Sequence, residues 1–290
     1  MNIEHIKKLR SETGLSMVLI QSYLKTYNGD YDKAKEALLS MTRENKQKND
    51  RVASKGMIKA YIDQDDVYIF ELIGETDFVY KHPLFIKLLD DLFEVAKKHK
   101  PEHLDILSNL SIYKHDVNTY ISQIANRVGE NIFLRRYEKL KKEDGQSFSL
   151  YQHHDGKHIG LLILNTGKKE IADTLAMQIV AMDALFKDYT YLTEADQQKM
   201  LSLFQETTHN NQSFDDFLKA KSLIDQPYIK DATMSVRQVL DEHHLSIISM
   251  FRYQLGEGIS DKLECRLDLG CDGAPSVQAI DHKKAKEEGK

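Results

Sequence analysis

Apolar residues near the start of the chain recur every three or four positions, which is the spacing of one helix face. Turn residues separate three such groups: Thr13-Gly14 and Asn28-Gly29 end the first two, and Asp30 can cap the third. The groups are Ile3, Ile6 and Leu9; Met17, Ile20 and Leu24; and Tyr31, Ala34, Leu38 and Leu39. The pattern predicts three short helices.

The next stretch combines strand and helix patterns. Two apolar runs, Met57 to Ile62 and Val67 to Ile73, predict a β-hairpin. A helical stripe begins at Pro83, which suits a first helical turn because its missing N–H has no partner there. A second helix is predicted over Val117 to Val128, and a strand over Asn131 to Leu140. The predicted order is strand, strand, helix, helix, strand.

A similar order recurs in the second half of the chain. Tyr151 to Leu164 predicts a hairpin, and Ile171 to Ala184 predicts a helix. Val236 to Leu245 predicts another helix, and Ile247 to Leu255 a closing strand. Helical patterning from about residue 192 to 221 has no counterpart in the first half. Because both halves share one order of elements, we expect two related α+β subdomains with antiparallel sheets.

The predicted fold class is therefore α+β, with boundaries at the changes of pattern. The stretch after residue 41 is polar and lacks apolar periodicity, which is typical of a linker, and the last residues lose periodicity in the same way. The predicted segments are a three-helix module at 1–41, a linker at 42–54, a first subdomain at 55–142, a second subdomain at 143–262 with a helical insertion at about 192–221, and a mobile tail at 263–290.

Composition narrows the class of protein. Hydrophobic residues make up 41% and charged residues 29% of the chain, which is typical of globular domains. The net charge of -5 argues against a general nucleic-acid binder, which needs a basic excess. Two cysteines, Cys265 and Cys271, predict no disulfide framework. No apolar stretch is long enough for a bilayer and Met1 to His5 lacks a signal-peptide pattern, so we expect a cytoplasmic protein without membrane binding.

A phosphate-binding loop is not predicted. Gly160 and Gly167-Lys168 come closest to the nucleoside-triphosphate motif, but six residues rather than four separate the glycines, and Lys169 stands where Ser or Thr belongs. Gly256-Glu257-Gly258 lacks the third glycine of a dinucleotide site. We therefore expect no direct nucleotide binding and no cofactor.

The densest group of histidines is His153, His154 and His158. Alternation along a strand would point His153 and His154 to opposite faces, and no Cys or Glu lies at zinc-type spacing. Solvated hairpin histidines are therefore predicted and no metal site, with a metal-dependent hydrolase as the alternative. The pair Arg135-Arg136 could bind an anion, but alternation predicts that at least one of them is an ordinary surface charge. No G-x-S-x-G nucleophile motif occurs.

The pentapeptide Glu75-Thr76-Asp77-Phe78-Val79 carries the most specific chemistry. It follows an apolar run and precedes Pro83. An acid beside a large aromatic residue at the end of a strand suits insertion into a polar site of a partner. The structural alternative is a capping carboxylate next to a core phenylalanine.

Further motifs lie on both sides of the pentapeptide in the sequence. They are Arg10 to Met17, Asn28-Gly29-Asp30, Gly129-Glu130-Asn131-Ile132 with Arg135-Arg136, Tyr151-Gln152-His153, Ile159-Gly160-Leu161, Gln226-Pro227-Tyr228 and Phe251 to Ile259. In this order and spacing the sequence closely resembles the bacterial elongation factor Ts family, over roughly residues 1–262. Members of this family are guanine-nucleotide exchange factors for elongation factor Tu.

The resemblance implies a role for several parts of the chain. The family has a ubiquitin-associated fold at the position of residues 1–41, and a protruding helical hairpin where this chain has a shorter insertion. Thr76, Asp77, Phe78 and Val79 match the signature that binds elongation factor Tu. Phe78 is implied to wedge between helices of the partner's G domain, with Asp77 close to the partner's magnesium site.

Further contacts with the partner are implied at His153, in a Tyr-x-His motif, and at Thr13, Gly14 and Met17, which dock on the G domain. The stretch Val18 to Ser22 departs from the family pattern and lacks its acidic and basic residues. The docking on the G domain is therefore expected to depend on apolar contacts.

The predicted function is guanine-nucleotide exchange during translation elongation. The chain is expected to bind elongation factor Tu with GDP, disturb the magnesium and phosphate site, and release GDP without covalent chemistry. The expected partner is a protein, and no nucleotide, nucleic acid or membrane is expected to bind directly. The alternative is a ubiquitin-associated-like adapter that binds proteins without exchange activity.

Overall fold

The computed structural model describes residues 3–13, 15, 17–38, 55–165, 168–207 and 212–257. The described chain combines helices with antiparallel sheets, so the fold class is α+β. It divides into two units, one formed by the described residues up to 140 together with 255–257, and the other by 141–254. The predicted linker at 42–54 and tail at 263–290 lie outside the described residues.

Three helices form where the first apolar groups predict them: α1 (Ile3–Thr13), α2 (Met17–Thr26) and α3 (31–38). Their apolar faces meet in a small core of Ile6, Leu9, Ile20, Leu24, Ala34 and Leu38. The Asp30 carboxylate accepts the N–H of Lys33 at 3.1 Å and so caps α3. The likeness of this module to a ubiquitin-associated fold stays a prediction.

The first sheet contains β1 (Lys55–Asp63), β2 (Asp66–Gly74) and β5 (Ile132–Lys141) in the order β1-β2-β5. Between β2 and β5 the chain forms α4 (Pro83–His99), α5 (Leu104–Ser108), the short strands β3 (Ser111–Ile112) and β4 (His115–Asp116), and α6 (Val117–Val128). The predicted order of two strands, two long helices and a strand is therefore present.

Packing against this sheet explains the apolar stripe of α4. Its inward side chains, Phe85, Leu88, Leu89, Leu92 and Ala96, are all buried in one cluster with β2 and α6. The ends of both helices follow local chemistry. Pro83 occupies the first turn of α4, Asp116 caps α6 by accepting the N–H of Thr119, and Gly129 ends α6 with a φ of 85°.

The second sheet contains β6 (Gln146–Gln152), β7 (His158–Asn165) and β10 (Ile247–Gln254) in the antiparallel order β10-β7-β6. Helix α7 (Lys169–Ala181) packs closely on it at Gly160, where a Cβ atom would lie 2.2 Å from the carbonyl oxygen of Ala176. The insertion forms α8 (Glu194–Thr207) and α9 (Phe214–Lys221), followed by β8 (Pro227–Tyr228), β9 (Asp231–Ser235) and α10 (Val236–Glu242).

Helix α10 ends three residues before the predicted Leu245. The reason lies in the backbone of His244, whose φ of 53° belongs to the left-handed region and stops the helix. The elements α5, β3, β4, β8 and β9 were not predicted. With two to five residues each, they are too short to show a period.

A buried ion network joins β2 and β5, and it corrects one prediction. Arg135 and Arg136 are both buried, so the prediction that at least one is a surface charge is wrong. Glu71 Oε2 lies 2.7 Å from Arg135 Nη1 and 3.0 Å from Arg136 Nε. The alternation of side chains along β5 does not predict the burial of both arginines, because residues 255–257 return to this unit and contact them. The N–H of Gly256 donates to Glu71 Oε1 at 2.8 Å, and Arg135 donates to the carbonyl of Glu257.

No helix in the described part of the chain combines the length and apolar character needed to span a bilayer.

We expect Glu71→Ala to lower the free energy of unfolding by about 3–5 kcal/mol, because it leaves two buried guanidinium groups without their carboxylate. Urea denaturation followed by circular dichroism measures this loss. A matched control is Lys230→Ala, which removes an exposed ion pair with Glu170 and should change stability by less than about 1 kcal/mol. Equal effects of both substitutions would show that the network contributes no more than a surface pair.

Candidate functional site

The loop that follows β2 is held at its far end by Val79. Strand β2 ends at Gly74, and residues 75–78 lead into a short 3₁₀ turn, Val79–Lys81. The Val79 side chain is 1% exposed and belongs to the first-unit core. It packs so closely on Gly74 that a Cβ atom there would lie 2.7 Å from Val79 Cγ1. The glycine therefore permits the tight return of the chain.

Thr76 fastens the middle of the loop to Glu130, which precedes β5. The Thr76 hydroxyl donates to Glu130 Oε1 at 2.6 Å, and its backbone N–H donates to Oε2 at 3.1 Å. The same hydroxyl accepts the N–H of Phe78 at 3.3 Å. Hydrogen bonds to a carboxylate are among the stronger ones in proteins. The loop is therefore ordered by side chains from two neighbouring strands.

Glu75 forms a second link between the same two segments. Asn131 donates a hydrogen bond from its side-chain amide to Glu75 Oε1. Two motifs that stand more than fifty residues apart in the sequence thus meet at one end of the sheet. The motif Gly129 to Ile132 had no assigned role in the sequence analysis, and the structure gives it one.

Phe78 extends from this anchored loop into solvent, with 80% of its surface exposed. The alternative of a core phenylalanine is therefore excluded. Asp77 is also exposed, and its carboxylate lies 3.8 Å from Lys55 Nζ. An exposed phenyl ring on an ordered loop can contact a partner without a prior rearrangement of the backbone. The predicted residues thus divide into two exposed ones, Asp77 and Phe78, and two anchors, Thr76 and Val79.

A second group of candidate residues lies in the turn between β6 and β7. The backbone closes this turn by the N–H of His153 donating to the carbonyl of His158 at 3.0 Å. Asp155, at the tip, lies between the two rings: Oδ1 is 2.9 Å from His153 Nδ1, and Oδ2 is 3.8 Å from His158 Nδ1. His154 is exposed and is not part of this group of three. The sequence analysis considered Cys and Glu as companions of the histidines and missed Asp155.

The surroundings in this turn lower the pKa of two of its side chains, Asp155 and His158. Partial burial raises the pKa of Asp155, but the His153 side chain, the N–H of Lys157 and the charge of the nearby imidazoles together lower that pKa below its usual value. Burial is also the main influence on His158 and lowers its pKa, with Asp155 opposing this effect.

The remaining predicted residues belong to the amino-terminal helices. Thr13 is buried, and its carbonyl accepts a hydrogen bond from Asn126 of α6 at 2.9 Å, so it faces this chain's own first unit. Gln123 of α6 donates in the same way to the carbonyl of Glu12. Met17 is 48% exposed at the start of α2. Gly14 lies outside the described residues.

The chain is similar to known proteins over most of its length. A model of the elongation factor TS family matches residues 75–257. Elongation factor Ts of Oenococcus oeni is 30% identical over 275 residues, which cover 90% of this chain and 94% of the relative. Elongation factor Ts of Limosilactobacillus reuteri is 28% identical over 276 residues, covering 89% and 93%. Elongation factor Ts of Acholeplasma laidlawii is 29% identical over 284 residues, covering 89% and 94%.

The family match begins at the first residue of the loop and takes in its anchors before β5 and the β6–β7 turn. It covers more than half of the chain, and the relatives align over almost their whole length. The chain belongs to the elongation factor Ts family of translation factors.

Proposed function

We propose that this chain is a guanine-nucleotide exchange factor that acts on elongation factor Tu and promotes the release of its GDP. The observation that carries the proposal is the exposed phenyl ring of Phe78 on a loop that Thr76 and Val79 hold in place. Family membership supports elongation factor Tu as the partner, and the anchored loop offers a side chain that can enter it. The activity makes and breaks no covalent bond, and a translation factor of this kind works in the cytoplasm.

The physical basis is competition between two ligands of one partner. A bound guanine nucleotide depends on backbone N–H groups directed at its phosphates and on Mg²⁺. An aromatic side chain inserted between helices of the partner displaces those groups and weakens the nucleotide. By thermodynamic linkage the nucleotide weakens the factor to the same degree, so incoming GTP ejects the factor and completes the cycle.

The residues next to Phe78 have two different roles: one faces the partner and two anchor the loop. The Asp77 carboxylate is an oxygen donor of the kind that Mg²⁺ prefers, and its place beside Phe78 directs it toward the partner's metal site. Thr76 and Val79 contact this chain rather than the partner and keep the loop in its binding conformation. A loop ordered before binding loses less conformational entropy on association.

The amino-terminal module contributes affinity through a separate surface. Met17 is exposed at the start of α2, whereas Thr13 is buried against α6. We infer that Met17 supplies an apolar contact to the partner. Thr13 holds the amino-terminal helices against α6 of the same unit. His153 supplies a contact from the β6–β7 turn. A second contact on the same chain raises the effective concentration of the first.

Replacing Phe78 tests the wedge. Phe78→Ala should slow the catalysed release of labelled GDP from elongation factor Tu by at least about tenfold, which corresponds to ~1.4 kcal/mol of barrier. Stopped-flow fluorescence measures the rate. The variant should stay folded, because the side chain is exposed in the free protein.

Ile106→Ala is the control for Phe78→Ala, since Ile106 is another large apolar side chain of the first unit and is 49% exposed. It should leave the rate unchanged. A folded Phe78→Ala protein with the unaltered rate would refute the wedge. A full-length protein that binds the partner and never accelerates release would be an adapter instead.

The anchor is tested without touching Phe78. Thr76→Val keeps the shape of the side chain but removes the hydroxyl that contacts Glu130 and the N–H of Phe78. Exchange should slow by about tenfold or more, because a hydrogen bond to a charged group contributes ~1.5–3 kcal/mol and ~1.4 kcal/mol corresponds to tenfold in rate. Thr233→Val is a matched control, since Thr233 also gives its hydroxyl and N–H to one carboxylate, that of Asp231. If both variants exchange equally fast, loop order does not limit the rate.

The division between affinity and rate is tested at Met17. Met17→Ala should raise the concentration of factor needed for half-maximal GDP release by about three- to tenfold, because it removes one partly exposed apolar contact. The rate at saturating concentration should stay within about twofold of the parent, since the loop is unchanged. A drop in the saturating rate alone would place Met17 in the exchange step and contradict this division.

A further inference from the structure

The turn between β6 and β7 brings together three groups that can ligate a metal ion. His153 follows β6, Asp155 lies at the tip of the turn and His158 begins β7. One ring nitrogen from each histidine and a carboxylate oxygen lie within 4.8 Å of one another, the only such group among the described residues. Each of the three side chains is about one-third exposed, so an ion can reach them from solvent.

The distances between these donor atoms are close to those between two ligands of one zinc ion. A divalent zinc ion lies about 2.0–2.2 Å from imidazole nitrogen and carboxylate oxygen. Two such bonds that meet at between 90° and 130° place their donor atoms roughly 3.0–3.8 Å apart. Asp155 Oδ1 is 2.9 Å from His153 Nδ1, and Asp155 Oδ2 is 3.8 Å from His158 Nδ1. Each histidine nitrogen therefore lies at a ligand-to-ligand distance from one oxygen of the Asp155 carboxylate.

The partner of His153 in the turn is the Asp155 carboxylate. The Nδ1 atom of His153 is buried and lies 2.9 Å from Asp155 Oδ1. A metal ion bound at the turn would replace this contact, because imidazole nitrogen and carboxylate oxygen are both zinc ligands.

The backbone holds the donors ready for an ion. The N–H of Gly156 donates to the carbonyl of His153 at 2.9 Å, which closes the turn. The N–H of Lys157 donates to Asp155 Oδ1 at 2.8 Å and fixes the direction of the carboxylate. Such contacts from outside the ligand set orient metal ligands and strengthen binding.

We propose that His153, Asp155 and His158 form a binding site for a divalent transition-metal ion of the zinc type. Two imidazoles and one carboxylate suit zinc, cobalt and nickel, whereas magnesium and calcium prefer oxygen ligands alone. Three protein ligands leave the other coordination positions to water. The sequence analysis expected no metal here because it weighed His154, which is not among the three, and did not weigh Asp155.

The test is a titration of the full chain with Zn²⁺, in which isothermal titration calorimetry measures the binding. Thiolates bind zinc strongly, so the parent protein for this experiment carries Cys265→Ser and Cys271→Ser. We expect saturable binding of one equivalent. Asp155→Asn keeps an oxygen for the N–H of Lys157, and His158→Gln keeps a polar side chain on β7. Each should weaken binding by about tenfold or more, since each removes or neutralises a ligand.

His154→Gln is the matched control, because this histidine is adjacent in sequence, exposed and outside the group. It should bind zinc like the parent. Nitrogen-15 spectra of the histidine rings provide a second reading: zinc should shift the Nδ1 signals of His153 and His158, and millimolar Mg²⁺ should not. The proposal is overturned if the parent shows no saturable binding, if Asp155→Asn and His158→Gln bind as the parent does, or if His154→Gln weakens binding equally.

Discussion

The buried carboxylate of Glu71 is the group on which the geometry of the first unit depends. It joins β2 to β5 by ion pairs with Arg135 and Arg136, in a region from which water is excluded. The loop of residues 75–78 and the residues that anchor it adjoin the same two strands. Strand β2 leads into Glu75 and Thr76, and β5 is preceded by the Glu130 and Asn131 that hold them. A relative shift of these strands would separate the anchors. The position of Phe78 thus rests on an ion pair deeper in the sheet.

Neighbouring residues in this loop have opposite surroundings, and the proposed function uses this contrast. Val79 is almost fully buried and Phe78 is mostly exposed. Exposing a phenyl ring in water is unfavourable, and the folded chain tolerates it because Thr76, Glu130 and Val79 order the backbone on either side. A flexible loop would cover the ring by local collapse. The stable display of one apolar side chain is what a protein needs in order to enter a partner without rearranging first.

The sequence predicted most of the periodic elements and the exposed residues of the loop, because long helices and strands carry a clear period and the loop motif is specific. It failed where a side chain depends on distant parts of the chain. Arg135 and Arg136 are both buried because residues 255–257 return to cover them, and strand alternation contains no information about such a return. Asp155 was missed because its nearness to His153 and His158 depends on the shape of the turn. The short strands β3, β4, β8 and β9 have no period to detect.

The return of residues 255–257 also sets an order of events when the protein is made. The first unit receives the N–H of Gly256 and the carbonyl of Glu257 only after all of residues 141–254 have been synthesised. A nascent chain that has reached residue 140 therefore contains Glu71, Arg135 and Arg136 but lacks the two backbone groups that complete their hydrogen bonds. Folding of the first unit can begin early during synthesis, but its ion network closes last. The last described residues of the chain thus complete the ion network between two strands that are synthesised much earlier.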